Sequence, residues 1–312
     1  MDFGRRKTQK YTFKSPKLDE LRKLVSLVVD PEKFKSKYGD LLYLLRINMK
    51  DEILATLVQF YDPLYHCFTF PDYQLVPTLE EYSYWMGLHV KDKVIFSGTE
   101  EDPSVKAISH ALYLNESDLK GKLVNKGGIL GINAKFLMEK ASTLASVRNM
   151  VSFEAILALF IYGLALFPNM EGVVDVHAIQ IFLIGNPVPT LLGDAYHSIH
   201  HRTSKGGGEI VCCAPLLYKW FISHLPKSPA FWDLKDGLLW SQKIMSLTHS
   251  DIDWYDRVHD GVMIDSCGSF PNVPLLGTKG DISYNPVLAR RQLGFPLKDK
   301  PRSIDVDGFF FK

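Results

Sequence analysis

Cysteine is scarce in this sequence. Four occur among 312 residues, and two of them, Cys212 and Cys213, are adjacent. Neighbouring cysteines do not form an ordinary bridge with each other, and no pair has the C-x-x-C spacing of redox and zinc motifs. A disulfide framework does not fit this pattern, so we expect an intracellular protein of the nucleus or the cytosol.

The sequence also has no marked excess of positive or negative charge, and it has no apolar run as long as a membrane span. Lys and Arg number 36 and Asp and Glu number 35, so the formal net charge is only +1. That balance gives no chain-wide field that would attract nucleic acid or an anionic membrane. The longest nearly apolar run, 151–167, contains Ser152 and Glu154 and is shorter than a membrane span. We therefore expect no membrane partner.

Complete catalytic and cofactor signatures are absent as well. The sequence has no G-x-x-x-x-G-K-[ST], no G-x-G-x-x-G and no G-x-S-x-G. The glycine runs at 127–128 and 206–208 are therefore interpreted as turns ahead of helices. We predict a protein that is not an enzyme and uses no cofactor.

What is present is a strong set of helix signals. Ser15-Pro16 and Asp30-Pro31 each have the order of a capping residue followed by proline at the first helical position. They predict one helix after residue 15 and another that ends near Gly39. Apolar residues at helical spacing predict a third helical region over 40–60.

The next segment mixes strand and helix signals. Two short β-prone runs on either side of a Pro-Asp turn predict a β-hairpin at 65–76. Thr78 and Glu81 then form a capping box, and Gly87 suits the end of the helix that the box opens. Residues 94–96 are predicted to form another short strand.

Two strongly apolar segments, 153–167 and 173–184, predict a buried helical hairpin at the centre of the core. We predict a mainly α (α+β) fold with a single helical domain over 18–300. A basic arm at 1–17 precedes it and a tail at 301–312 follows it, and the C-terminal third is expected to be irregular.

Two groups of basic residues are candidates for nucleic-acid contact. The first is the N-terminal arm with Arg5, Arg6, Lys7 and Lys10, and the second is the pair Arg290 and Arg291. The alternative is a solvated terminus for the arm and a solvated helix face for the arginine pair. A protein partner is the first expectation and nucleic acid the second.

Five residues are the nearest approach to a metal site: His197, His200, His201, Cys212 and Cys213. Imidazole and thiolate are the usual donors to zinc, but this spacing matches no zinc finger or knuckle. The alternative is a polar loop with histidines followed by a helix with two buried cysteines. We predict no metal on this basis.

A run of carboxylates over 251–260, with Asp251, Asp253, Asp256 and Asp260, offers one more possibility. Paired carboxylates bind Mg²⁺ or act as acid and base when the fold brings them together. The alternative is an acidic surface loop.

Several segments resemble the plant mobile domain, which is also described as aminotransferase-like. Near the start they are F-T-F at 68–70, V-P-T-L-E-E at 76–81 and W-M-G-L at 85–88. Later they are C-A-P-L-L-Y-K-W-F at 213–221 and H-L-P at 224–226. A related plant domain of unknown function, often found in transposon-derived genes, is resembled by P-L-L-G at 274–277, Y-N-P at 284–286 and R-Q-L-G-F-P at 291–296.

The resemblance implies an origin in a transposable element and, for some members, a nuclear role. It supplies no catalytic residues, and the pyridoxal phosphate that the label aminotransferase-like implies finds no lysine-centred site here. We therefore expect a non-catalytic module that binds a protein or nucleic acid. The alternatives are a remnant of a Mg²⁺-dependent DDE-type transposase and a self-assembling structural protein.

Overall fold

The computed structural model describes residues 10–16, 18–90, 93–233, 239–254 and 273–294. Within these ranges the protein is α-dominant with small sheets, which confirms the predicted α+β class. The helices of the first half are α1 (Asp19–Val25), α2 (Pro31–Tyr38), α3 (Leu41–Leu44), α4 (Asp51–Val58), α5 (Leu79–Met86), α6 (Val105–Ala111), α7 (Glu116–Leu119) and α8 (Ala134–Ser146). Those of the second half are α9 (Met150–Ile161), α10 (Val176–Ile184), α11 (Val188–Ser204), α12 (Ala214–Ser223), α13 (Pro229–Trp232), α14 (Trp240–Met245) and α15 (Pro286–Gln292).

The strands are short and form four small sheets in the described ranges. In chain order they are β1 (Tyr11–Phe13), β2 (Tyr61–Asp62), β3 (Cys67–Thr69), β4 (Gln74–Leu75), β5 (Leu123–Lys126), β6 (Ile129–Asn133), β7 (Val173–Asp175), β8 (Gly208–Ile210), β9 (Val273–Leu276) and β10 (Asp281–Tyr284). Three sheets are antiparallel: β2-β3-β4, β5-β6-β7 and β9-β10. The fourth pairs β1 with β8 in parallel.

Helix ends follow the capping residues at several predicted places. The side chain of Asp30 accepts the backbone N–H of Lys33 at the start of α2, which ends at Gly39. Thr78 and Glu81 close the predicted capping box of α5, and Gly87 ends that helix in the left-handed conformation that glycine adopts without strain. These three signals were read correctly because each is local.

Two of the helix predictions are wrong in detail. Ser15-Pro16 does not begin α1, because the Ser15 hydroxyl donates to the Phe13 carbonyl and the helix starts at Asp19. The region 40–60 is not one helix but α3 and α4, separated by six residues that are not helical. The apolar spacing was correct, yet the chain turns between the two helices so that both bury their apolar residues.

The predicted β-hairpin at 65–76 is confirmed as β3 and β4, and β2 adds a third strand. The strand predicted for 94–96 does not form. Val94 and Ile95 lie exposed there, and the side-chain amide of Asn186 donates to the Val94 carbonyl in place of a strand partner. Glycines 127–128 form the turn of the β5-β6 hairpin, and 206–208 lead into β8, so neither run precedes a helix directly.

The segment 153–167 is buried in the core as α9 and its π-helical extension, as predicted. The predicted hairpin with 173–184 is wrong in detail, because α9 packs mainly against α8 and the second apolar segment forms β7 followed by α10. Every residue of α9 from Ser152 to Ile161 is buried. A π-helical turn, Tyr162–Leu166, extends α9, and its Gly163 lies against Val174 of β7. No helix in the described ranges is both long and apolar enough to span a membrane.

Candidate functional site

Side chains from separate helices meet at one buried carboxyl group, that of Glu81, which is 1% exposed. Its Oε2 accepts the Thr78 hydroxyl at 2.7 Å, Trp220 Nε1–H at 3.0 Å and Gln292 Nε2–H at 3.0 Å. Gln292 also accepts the Val76 backbone N–H at 2.7 Å and donates to the Val76 carbonyl at 2.8 Å. Residues from α5, α12 and α15 are thereby joined at a point that solvent does not reach.

His224 completes this Glu81 hub, which consists of Thr78, Glu81, Trp220, His224 and Gln292. His224 Nδ1 lies 3.0 Å from the Asp253 carbonyl, and a carbonyl only accepts, so Nδ1 carries a proton. Its Nε2 lies 2.8 Å from Glu81 Oε1. Both side chains are only 1% exposed, so this pair is fully buried and structural.

A second buried carboxyl, Asp194 of α11, holds the turn between β9 and β10. Its Oδ1 accepts the Thr278 backbone N–H at 2.7 Å, and its Oδ2 accepts the Thr278 hydroxyl at 3.0 Å. A methyl group on Gly193 would lie only 2.9 Å from the Gly277 nitrogen, so the turn rests directly on the helix backbone. This contact fixes the position of the following residue, Lys279.

Burial raises the pKa of Asp194 to about 7, although the hydrogen bonds from Thr278 act in the opposite direction. The folded protein therefore keeps this proton to about pH 7, whereas the unfolded chain loses it near pH 4. The resulting stability is present below about pH 4 and is lost as the pH rises through 7, by up to about 4 kcal/mol.

We expect Asp194→Asn to remove this pH dependence, because an amide keeps the acceptor for the Thr278 N–H and never ionises. Urea unfolding of both proteins between about pH 5 and pH 8 measures the effect. The variant should become the more stable of the two at the alkaline end. Asp19→Asn is the matched control, since the Asp19 side chain is 88% exposed. Parallel pH profiles for the wild type and Asp194→Asn would contradict the assignment.

Near this turn the charges of Lys14 and Arg202 act on Lys279, and two further cationic residues, Lys10 and Lys205, lie on the adjoining segments. We call them the basic face: Lys10, Lys14, Arg202, Lys205 and Lys279. Lys10 and Lys14 flank β1, Arg202 and Lys205 lie at the C-terminal end of α11, and Lys279 lies in the β9-β10 turn.

The β1-β8 pairing places the segment of Lys10 and Lys14 beside the strand that follows α11. The Gly208 N–H donates to the Lys10 carbonyl at 3.2 Å, and the Lys14 N–H donates to the Ile210 carbonyl at 2.9 Å. A Cβ on Gly208 would lie 3.2 Å from Arg202 Nη1, so the end of α11 packs directly on this ribbon.

The basic face carries an excess of positive charge. Within the part of the chain that the structure describes, none of its five residues forms an ion pair. The pKa of Lys279 is lowered first by desolvation and further by Lys14 and Arg202, while the buried Asp194 and Asp175 oppose the change. Lys14 Nζ donates to the Asn169 carbonyl at 3.0 Å. The arrangement supplies several free positive charges that an anionic ligand can neutralise.

The proposed metal-site residues are not assembled into a ligand set. His197 stacks on His201 with ring centroids 6.0 Å apart, whereas His200 contacts His66 at 4.9 Å. Cys212 and Cys213 are buried ahead of α12, and burial raises the pKa of Cys213 to about 12 and that of Cys212 well above the usual value of a thiol. Thiols held in that state are poor metal ligands. Among the described residues, no group of three or more His, Cys, Asp or Glu is arranged to hold a metal ion.

Burial and the neighbouring histidines lower the pKa of His200 to about 4. The folded protein therefore keeps this imidazole neutral, while the unfolded chain protonates it near pH 6.5. The stability from His200 is lost as the pH falls from about 6.5 toward 4, opposite in sign to the contribution of Asp194.

The structure places the candidate residues for nucleic-acid contact in different environments. Lys10 belongs to the basic face, whereas Arg5, Arg6 and Lys7 lie outside the described residues. Arg291 donates to the Gln74 side chain and, with the half-buried Arg290, occupies the last turn of α15, where cations stabilise the helix dipole. The arginine pair therefore has a structural role in addition to its charge.

Of the four carboxylates in the run over 251–260, two belong to the described residues and two do not. Asp251 accepts the backbone N–H and the hydroxyl of Thr248, and Asp253 pairs with Lys227. Asp256 and Asp260 lie outside the described residues. The two described carboxylates are thus occupied by local contacts, as expected of an acidic surface loop.

Four members of the basic face were not predicted as separate contacts: Lys14, counted only as part of the arm, and Arg202, Lys205 and Lys279. Lys279 comes near the end of α11 only because the β9-β10 turn packs on that helix, and the β1-β8 pairing joins Lys14 to a segment about 200 residues away.

Comparison with known proteins gives a family and no relative of known activity. A family model described as Domain of unknown function (DUF7745) matches residues 18–312. No curated protein and no solved structure matches the chain.

Proposed function

This chain belongs to the family described as Domain of unknown function (DUF7745), and because that description carries no activity we propose a function from its own geometry. We propose that it is a non-catalytic module that binds nucleic acid through the basic face. Lys10, Lys14, Arg202, Lys205 and Lys279 would contact the phosphates.

The observation that carries this proposal is the convergence of unpaired cations. Bringing like charges together costs free energy, which folding recovers only in part from the buried Asp194. Glu209 on β8 is the exposed carboxylate nearest in sequence, and it leaves the face with an excess of positive charge. A phosphate backbone neutralises such a face and releases its own condensed counterions.

The sequence before the basic face adds further positive charge. Arg5, Arg6 and Lys7 come shortly before Lys10 in the sequence. They lie outside the described residues, and we propose that they add up to three phosphate contacts to the five of the face.

A broader biological setting is part of the proposal. The resemblance to the plant mobile domain supports an origin in a transposable element and a nuclear or cytosolic location. The Glu81 hub supports a non-catalytic role for the resembling segments, because its side chains are closed to solvent. A remnant of a Mg²⁺-dependent transposase and a self-assembling structural protein are the competing functions.

Salt-dependent binding to a fluorescein-labelled DNA duplex of about 30 base pairs tests the proposal. With five to eight phosphate contacts, the logarithm of the binding constant should fall with the logarithm of salt concentration with a slope of about −4 to −7. The titration runs from about 50 to 300 mM salt, with and without Mg²⁺.

Absence of binding at about 50 mM salt would refute the nucleic-acid function. Cleavage of the duplex that requires Mg²⁺ would favour the transposase remnant instead. Light scattering on the free protein addresses the third function, since large assemblies that form without nucleic acid would favour self-assembly.

A further inference from the structure

A groove of about 560 Å³ opens beside the basic face, bounded by the segment after β1, by α1, by the start of α8 and by the π-helical end of α9. Its volume is in the range of sites that bind ligands in proteins. The residues that line it are Lys14, Ser15, Pro16, Glu20, Leu21, Ala134, Lys135, Met138, Phe160, Leu164, Pro168, Met170, Glu171, Gly172 and Glu209.

The floor of the groove is apolar. Leu21 and Phe160 are buried at its base, and Met138, Leu164 and Met170 are half-buried along it. The π-helical turn places Leu164 here, and such turns are often found at functional sites. The two methionines suit side chains of varied shape, because their long, unbranched chains adapt to what they contact.

The rim of the groove carries charge that is not balanced. Lys14 donates to the Asn169 carbonyl at 3.0 Å, and Lys135 lies 4.0 Å from Glu139 on its own helix. The rim carboxylates Glu20, Glu171 and Glu209 form no ion pair with any described residue. The unpaired charge of the rim is therefore negative, opposite in sign to the adjoining basic face.

We propose that this groove binds a short segment of a protein partner in which apolar side chains alternate with lysine or arginine. The apolar side chains would enter the floor, and the cations would pair with Glu20, Glu171 and Glu209. This site is separate from the proposed nucleic-acid contact, although Lys14 and Glu209 border both surfaces.

Fluorescence anisotropy with three labelled peptides tests the inference. The first probe has the alternating sequence G-L-K-L-K-F-K-G. The second has glutamate in place of each lysine, and the third has serine in place of each apolar residue. We expect the first probe to bind at least about tenfold more tightly than either of the others. Only the first probe has both apolar side chains for the floor of the groove and cations for the carboxylates of its rim.

Two variants locate the binding. The triple variant Glu20→Gln, Glu171→Gln, Glu209→Gln should weaken the first probe about tenfold, because it removes the three carboxylates that pair with the lysines of the probe. Ala134→Trp should block the groove by its volume. The control Glu32→Gln, Glu52→Gln, Glu116→Gln removes the same charge from exposed helix starts and should leave affinity nearly unchanged.

Failure of the first probe to bind at about 1 mM would overturn the inference, as would equal affinity for all three probes. Loss of affinity in the control variant as large as in the rim variant would overturn it too. The rim variant should still bind DNA, so a failure of the groove is distinguishable from a failure of the basic face.

Discussion

Replacing Glu81 with alanine is expected to lower the free energy of unfolding by about 3–5 kcal/mol. The change removes the acceptor of three buried donors, on Thr78, Trp220 and Gln292. It also deprives His224 of the charge that it faces at 2.8 Å. Buried donors without partners each cost the full loss of their hydration, so the penalty exceeds that of an ordinary truncation.

Urea unfolding followed by circular dichroism measures this penalty. Glu32→Ala serves as the control, because Glu32 is an exposed glutamate in the first turn of α2 and should change stability by less than about 1 kcal/mol. An equally small change for Glu81→Ala would mean that the hub contributes little. Its hydrogen bonds would then have to be compensated by water entering the site.

Removal of charge from the basic face is expected to reduce DNA affinity roughly a hundredfold or more at about 0.1 M salt. The variant combines Arg202→Gln, Lys205→Gln and Lys279→Gln. Each lost phosphate contact should reduce the salt slope by about 0.9, which is nearly tenfold in affinity at that salt concentration. Together the three changes should lower the magnitude of the slope by about 3.

The control for this experiment carries the same change in net charge elsewhere. Lys23, Lys93 and Lys106 are exposed on other segments, and their replacement with glutamine should alter affinity only slightly. Equal losses in both variants would mean that DNA responds to total charge and not to the basic face. A thermal unfolding curve for each variant shows whether the fold is retained.

The parts of the fold that could be predicted are those decided by neighbours in sequence. The capping box of Thr78 and Glu81 depends on residues three apart, and the apolar run of α9 reveals a buried helix by composition alone. The break between α3 and α4 could not be found in this way. It depends on how both helices pack against the rest of the core, which local spacing does not encode.

The candidate site was less accessible to sequence analysis than the fold. The arm was noticed because its basic residues are consecutive, and Lys10 does reach the basic face. Arg202 and Lys279 are 77 positions apart in the sequence. They come close to each other only because the β9-β10 turn packs on α11. Of the Glu81 hub, only the capping box of Thr78 and Glu81 could be predicted, because Trp220, His224 and Gln292 reach it from distant parts of the chain.

The parallel pairing of β1 with β8 has a consequence for synthesis on the ribosome. Tyr11 is paired with Gly208, so the first strand leaves the ribosome about 200 residues before its partner exists. At about 5–20 residues per second this interval lasts roughly 10–40 s. During that time β1 has no strand partner. The nascent chain therefore needs either a chaperone or its own solubility to keep β1 available until β8 emerges.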